Sequence, residues 1–133
     1  MNTKATLTAV LLLAVSTTFA APPEDSKQQN IEKQQTIEAF CNAAANMAYD
    51  SMLLGLKGEK RPAIQKKLEA KYLKPFAEDK NLSGIMGEQI KYTLKKTEVI
   101  LKAGLKIKPA DYEGLATEVG RAEMKVCMKN MAE

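Results

Sequence analysis

The chain has 133 residues, 45% of them hydrophobic and 27% charged, a balance that suits one modest globular unit. Its net charge of +4 does not call for nucleic acid, and it contains neither histidine nor tryptophan. Without histidine the commonest general base and the commonest metal ligand are both missing, so Ser-His-Asp and Cys-His catalysis is excluded.

Residues 1–20 read as a cleavable secretory signal. Lys4 supplies a positive start, an apolar run of about a dozen residues follows from Ala5 to Val15, and Thr18-Phe19-Ala20 places small residues around a cut after Ala20. The run falls short of the ~20 apolar residues that a membrane span requires. Export through such a signal predicts a periplasmic protein, since a compact signal ahead of a short helical domain is a bacterial pattern. Loss of Lys4 leaves the mature chain at +3. Export also argues against a nucleic-acid partner.

Residues 21–30 are rich in proline, glutamine and charge and read as a flexible leader. The helical domain is expected over 31–133. Strand signals are missing, and four stretches carry helical spacing instead. The first helix is expected from about Gln29 to Leu56, with Ile37, Phe40, Cys41, Ala44, Ala45, Met47, Ala48 and Met52 on its inner arc. The small residues at 43–45 and 48 would let a neighbouring helix come close. Gly55 and Gly58 end this helix.

The second helix is short. Pro62 suits its first turn, Ile64, Leu68 and Leu73 face inward, and Pro75 ends or kinks it ahead of Phe76. The third, about Leu82 to Leu105, separates its faces most cleanly. Leu82, Met86, Ile90, Leu94, Thr97, Ile100, Leu101 and Leu105 fill one arc. The other carries Lys91, Lys95, Lys96, Glu98, Lys102 and Lys106, with Tyr92 and Val99 among them. Gly104 stops it. The fourth helix opens at Pro109 and runs to about Met131, with Tyr112, Leu115, Ala116, Val119, Ala122, Val126 and Cys127 inward.

Short linkers join antiparallel neighbours, so the pattern predicts an all-α fold, a four-helix up-and-down bundle-like single domain. The only two cysteines, Cys41 and Cys127, lie on inward arcs of the first and last helices. In an oxidising compartment they are expected to pair, in preference to free thiols or a soft-metal site. The chain-entropy argument assigns such a long closed loop roughly 4–5 kcal/mol.

No nucleotide-binding glycine motif occurs, and two cysteines without histidine make a zinc site implausible, so neither a cofactor nor a metal is expected. Glu123 is the one acid within an apolar arc. It could act as a desolvated acid, but no second carboxylate is placed to work with it; the simpler reading has it meet a lysine from a neighbouring helix.

Two surfaces remain. Met124, Cys127, Met128 and Met131 recur at i, i+3, i+4 and i+7, which makes a wider buried face, an adaptable docking patch or a thioether site for Cu(I), the last disfavoured by pairing of Cys127. A basic face is formed by Lys57 to Lys74, where seven basic residues meet two acidic ones, and by Lys91, Lys95 and Lys102 of the third helix beside Tyr92 and Val99. Such a face serves solubility or attracts anionic surfaces. The sequence therefore predicts a non-enzymatic exported protein that binds another envelope or secreted protein, as an inhibitor, immunity or chaperone-like factor. The alternative is an electrostatic binder of anionic envelope surfaces or polymers, with at most weak contact to an anionic membrane.

Overall fold

The structure, a computed structural model, describes residues 21–132; the signal expected at 1–20 lies outside the described residues. Four helices and no strand occur among them. These are α1 (Ala21–Leu56), α2 (Arg61–Leu68), α3 (Lys80–Lys102) and α4 (Tyr112–Ala132). The described residues divide into two units between Thr36 and Ile37.

The described part of the first unit is helical from Ala21, where a flexible leader was expected. Prolines at 22 and 23 do not interrupt the helix, and the glutamines and charges that follow are good helix formers. Lys27 to Thr36 are all exposed, Ile31 included.

In the second unit each helix end has a local cause. Gly58, at φ +94°, closes α1 in a Schellman turn, with Glu59 N–H donating to the Leu54 carbonyl and Gly58 N–H to that of Gly55. Asp79 caps α3, its carboxylate accepting from the backbone N–H groups of Asn81 and Leu82 at 3.0 and 3.1 Å. Gly104, at φ +78°, ends it. Pro62 occupies the first turn of α2, and Pro109 opens a 3₁₀ turn, Pro109–Asp111, that leads into α4.

Beyond Leu68 the α2 chain widens into a π turn, Glu69–Leu73, then tightens into a 3₁₀ turn, Lys74–Phe76. Pro75 cannot donate to the Lys71 carbonyl and its ring would crowd it, so the α-ladder gives way just before it. The wider turn shifts the register. Tyr72 is buried and Leu73, the expected inward residue, is only half-buried.

The chain order is up, down, up, down. Cys41 and Ala45 of α1 meet Cys127 and Gly120 of α4, an antiparallel pairing. Ser51 and Gly55 of α1 meet Thr97 and Leu101 of α3, so these two run parallel and touch directly. Their hydroxyl contact, Ser51 to Thr97 at 2.7 Å, is fully buried. α2 covers one side of this pair, where Ile64, Leu68 and Tyr72 pack with Met47, Met86, Ile90 and Leu94. α4 covers the other, where Cys127 joins Ile37, Cys41 and Ala44. The Cys41–Cys127 disulfide fixes α4 to α1.

The inner face of α4 differs from the expected one. Its buried line is Ala116, Gly120, Glu123 and Cys127, whereas Ala122 and Val126 are exposed. A Cβ added at Gly120 would lie 3.0 Å from the Ala45 carbonyl oxygen, so α1 approaches α4 over its small residues. That approach rotates the helix and moves the larger Leu115, Val119 and Val126 toward the edge. On α3 the middle of the expected arc is buried, but Leu82, Leu101 and Leu105 lie near the helix ends and are exposed.

Candidate functional site

Beside the disulfide, α1, α3 and α4 leave a continuous groove between them. Two hollows of about 640 and 280 Å³ share Phe40, Gln89 and Tyr92. The larger runs along α3 past Ile85 and Glu88 to Lys80, and the smaller is closed by Glu123, Val126, Cys127, Asn130 and Met131 of α4. Ile85, Tyr92, Val126 and Met131 are 51, 47, 41 and 43% exposed, an apolar share that a helix of a closed bundle would normally hide. Phe40, half-buried, forms the wall on α1.

Glu123 borders this groove as the one buried carboxylate among the described residues. Its oxygen accepts from the Lys96 ammonium at 3.3 Å, so the simpler reading, a lysine on a neighbouring helix, is what the structure has. Burial pulls the Lys96 pKa down, but the hydrogen bond and charge of Glu123, with smaller help from Tyr92, outweigh it and hold it above the ordinary value. The same ammonium lies 5.6 Å from the centre of the Tyr92 ring, within cation–π range.

The polar atoms of α3 facing inward form a line at one-turn spacing: Gln89, Thr93 and Thr97. Thr97 is satisfied by Ser51. Gln89 Nε2 and Thr93 Oγ1 are buried and make no hydrogen bond. An unpaired buried donor costs on the order of 1–3 kcal/mol, and Gln89 is also the residue that joins both hollows.

The two surfaces anticipated from sequence are redistributed. Tyr92 and Met131 come from different ones and here line the same groove. Met124 and Met128 are half-buried against the disulfide cluster. Met124 also borders a separate hollow of about 330 Å³ with Tyr49, Gly120 and Arg121. Lys91, Lys95, Val99 and Lys102 remain exposed outside the groove, Lys91 at 3.7 Å from Glu88. In the basic stretch before α3, Arg61 pairs with Glu98, Lys67 with Glu59 and Lys71 with Asp50, at 2.6, 2.8 and 2.9 Å. Part of that stretch is thereby neutralised.

Sequence reasoning missed Ile85, Gln89 and Asn130. Ile85 alone carried a signal, as an apolar residue off the inner arc of α3. Among the described residues no group of three or more acids and cysteines is placed to hold a metal ion, and no helix is long and apolar enough to cross a membrane. No family model, curated protein or solved structure matched the chain.

Proposed function

We propose that the protein is an exported, non-enzymatic binding factor of the bacterial periplasm that docks another envelope or secreted protein in the α1–α3–α4 groove. The observation that carries this reading is the gathering of Phe40, Ile85, Tyr92, Val126 and Met131, from three helices, around one groove. The disulfide is compatible with export, and it supports the groove by fixing α4 against α1 at its floor. Large apolar side chains with a polar rim are the usual make-up of a protein-docking patch.

The test uses the oxidised protein as bait on envelope extract, with Val126→Lys in the groove and Val99→Lys on the outer face of α3. A partner held by the native protein and by Val99→Lys, but lost from Val126→Lys with helical circular dichroism unchanged, is the expected result. Equal capture by all three removes the groove. Capture lost only from Val99→Lys, and abolished by salt, would favour the lysine face instead.

A further inference from the structure

Beyond that docking reading, we propose that the outer face of α3 pairs with a second copy of this chain, antiparallel, about a two-fold axis at Tyr92. Ile85, Tyr92 and Val99 are 51, 47 and 62% exposed and follow one another at seven-residue intervals. Seven residues make nearly two full turns, so the three form one line, about 21 Å long at 1.5 Å per residue. The line lies on the side of α3 away from the buried Met86, Ile90, Leu94 and Thr97. An apolar row at this spacing is what one helix offers another along a coiled-coil seam.

The charges beside the line select the occupant. Glu88 precedes Tyr92 by four residues and Lys95 follows it by three, which puts both on the same side of the line at about 100° per residue. A second α3, turned end for end about Tyr92, sets its Val99 against Ile85 and its Tyr92 against Tyr92. Its Lys95 then stands within about 1.5 Å of Glu88 along the axis, and by symmetry the ion pair forms twice. A parallel pairing would instead oppose Glu88 to Glu88 and Lys95 to Lys95. Within one copy Glu88 has Lys91 at 3.7 Å, but both side chains are 74% exposed, a pair weak enough to leave the carboxylate open to a second lysine. Lys96, on the other side of the line, stays with Glu123. Self-complementarity of this kind is what a two-fold dimer needs and a foreign partner does not. Ile85 and Tyr92 also line the groove, so the dimer and a docked partner exclude one another, whereas Val99 belongs to the dimer alone.

So short a contact lies at the small end of specific interfaces, and half of the chains should be paired at on the order of 0.1 mM. Sedimentation equilibrium of the oxidised protein from about 10 µM to about 1 mM covers that range. The native protein is expected to pass from one copy to two. Val99→Lys, Glu88→Lys and Lys95→Glu should each weaken the dimer about tenfold or more, with helical circular dichroism unchanged. An equimolar mixture of Glu88→Lys and Lys95→Glu should pair again, since each carries the charges the other needs. A native protein that stays monomeric at about 1 mM would give the line to some other molecule and overturn the proposal. A dimer that Val99→Lys leaves intact would do the same. If the single charge variants lose the dimer and their mixture does not regain it, the antiparallel register is wrong and the proposal falls. Because Val99 lies outside the groove, loss of the dimer from Val99→Lys and loss of partner capture from Val126→Lys test the two readings separately.

Discussion

Gly120 of α4 faces Ala45 of α1 so closely that a Cβ on the glycine would stand 3.0 Å from the alanine carbonyl oxygen. The atom met is backbone, which cannot swing aside as a side chain could. Replacing a helical glycine by alanine ordinarily gains about 1 kcal/mol. Gly120→Ala is expected instead to destabilise by about 1–2 kcal/mol, since α1 and α4 must move apart against the disulfide. Gly114→Ala, on the same helix with nothing within 4 Å of its added Cβ, should gain up to about 1 kcal/mol. Urea midpoints for the pair decide the matter, and equal stabilisation by both would mean that the helices are not in close contact.

The same two helices are tied by Cys41–Cys127, 86 residues apart in the chain. Closing so long a loop restricts the unfolded chain, which the entropy model values at roughly 4–5 kcal/mol, with measured losses often smaller. A domain of this size has only about 5–15 kcal/mol in total. Cys41→Ala with Cys127→Ala is therefore expected to lower the urea midpoint steeply, and reductant should bring the native protein to the same value. Coincident midpoints for the oxidised protein and the double variant would contradict a bond linking these positions.

What was legible in the sequence was local. The arc of α3, the stops at Gly58 and Gly104, the start at Pro62 and the place of each cysteine on an inward arc all follow from spacing within one element. What was not legible depended on distances between elements. Pro75 announces a break, but only the π turn before it decides that Tyr72 is buried more deeply than Leu73. Val126 and Ala116 look alike on a helical wheel until the approach of α1 over Gly120 selects the smaller side. Tyr92 and Met131 each stood out as apolar residues on a polar background, yet their meeting depends on the antiparallel register of α3 and α4. Gln89 reads as an ordinary surface amide, and nothing in its spacing reveals an unpaired nitrogen.

Lys96 and Glu123 join α3 to α4 at 3.3 Å, with 35% of the lysine side chain exposed but only 6% of the glutamate's. Lys96→Met leaves that carboxylate buried alone, and a loss of about 1–3 kcal/mol is expected. Adding Glu123→Met should restore most of it, because two apolar neighbours replace a pair that neither partner can leave singly. The raised Lys96 pKa sets the pH dependence: its contribution is whole below the ordinary value of 10.5 and fades as pH climbs through the higher folded value. The stability gap between the native protein and Lys96→Met should thus narrow as pH rises through the lysine's range. A gap that stayed constant far into alkali would place the controlling group elsewhere.

Tyr72, brought inward by the π turn, donates its hydroxyl to Asp50 at 2.6 Å, and Lys71 reaches the same carboxylate oxygen at 2.9 Å. Burial raises the tyrosine pKa well above its ordinary 10.0, and the hydrogen bond and charge of Asp50 raise it further. Tyr72→Phe loses this hydrogen bond, at a cost of about 1 kcal/mol near pH 7, while Asp50 keeps Lys71. In alkali the unfolded chain releases the Tyr72 proton near pH 10 and the folded protein does not, so the native protein loses stability there that the phenylalanine variant never had. The remaining tyrosines are common to both proteins and drop out of the comparison. Paired urea midpoints at pH 7, 9 and 11 should therefore show a gap that is constant at first and then closes. If it stayed constant through pH 11, the hydroxyl would be ionising as freely in the folded protein as in the unfolded chain, and Tyr72 could not be the buried donor that links α2 to α1.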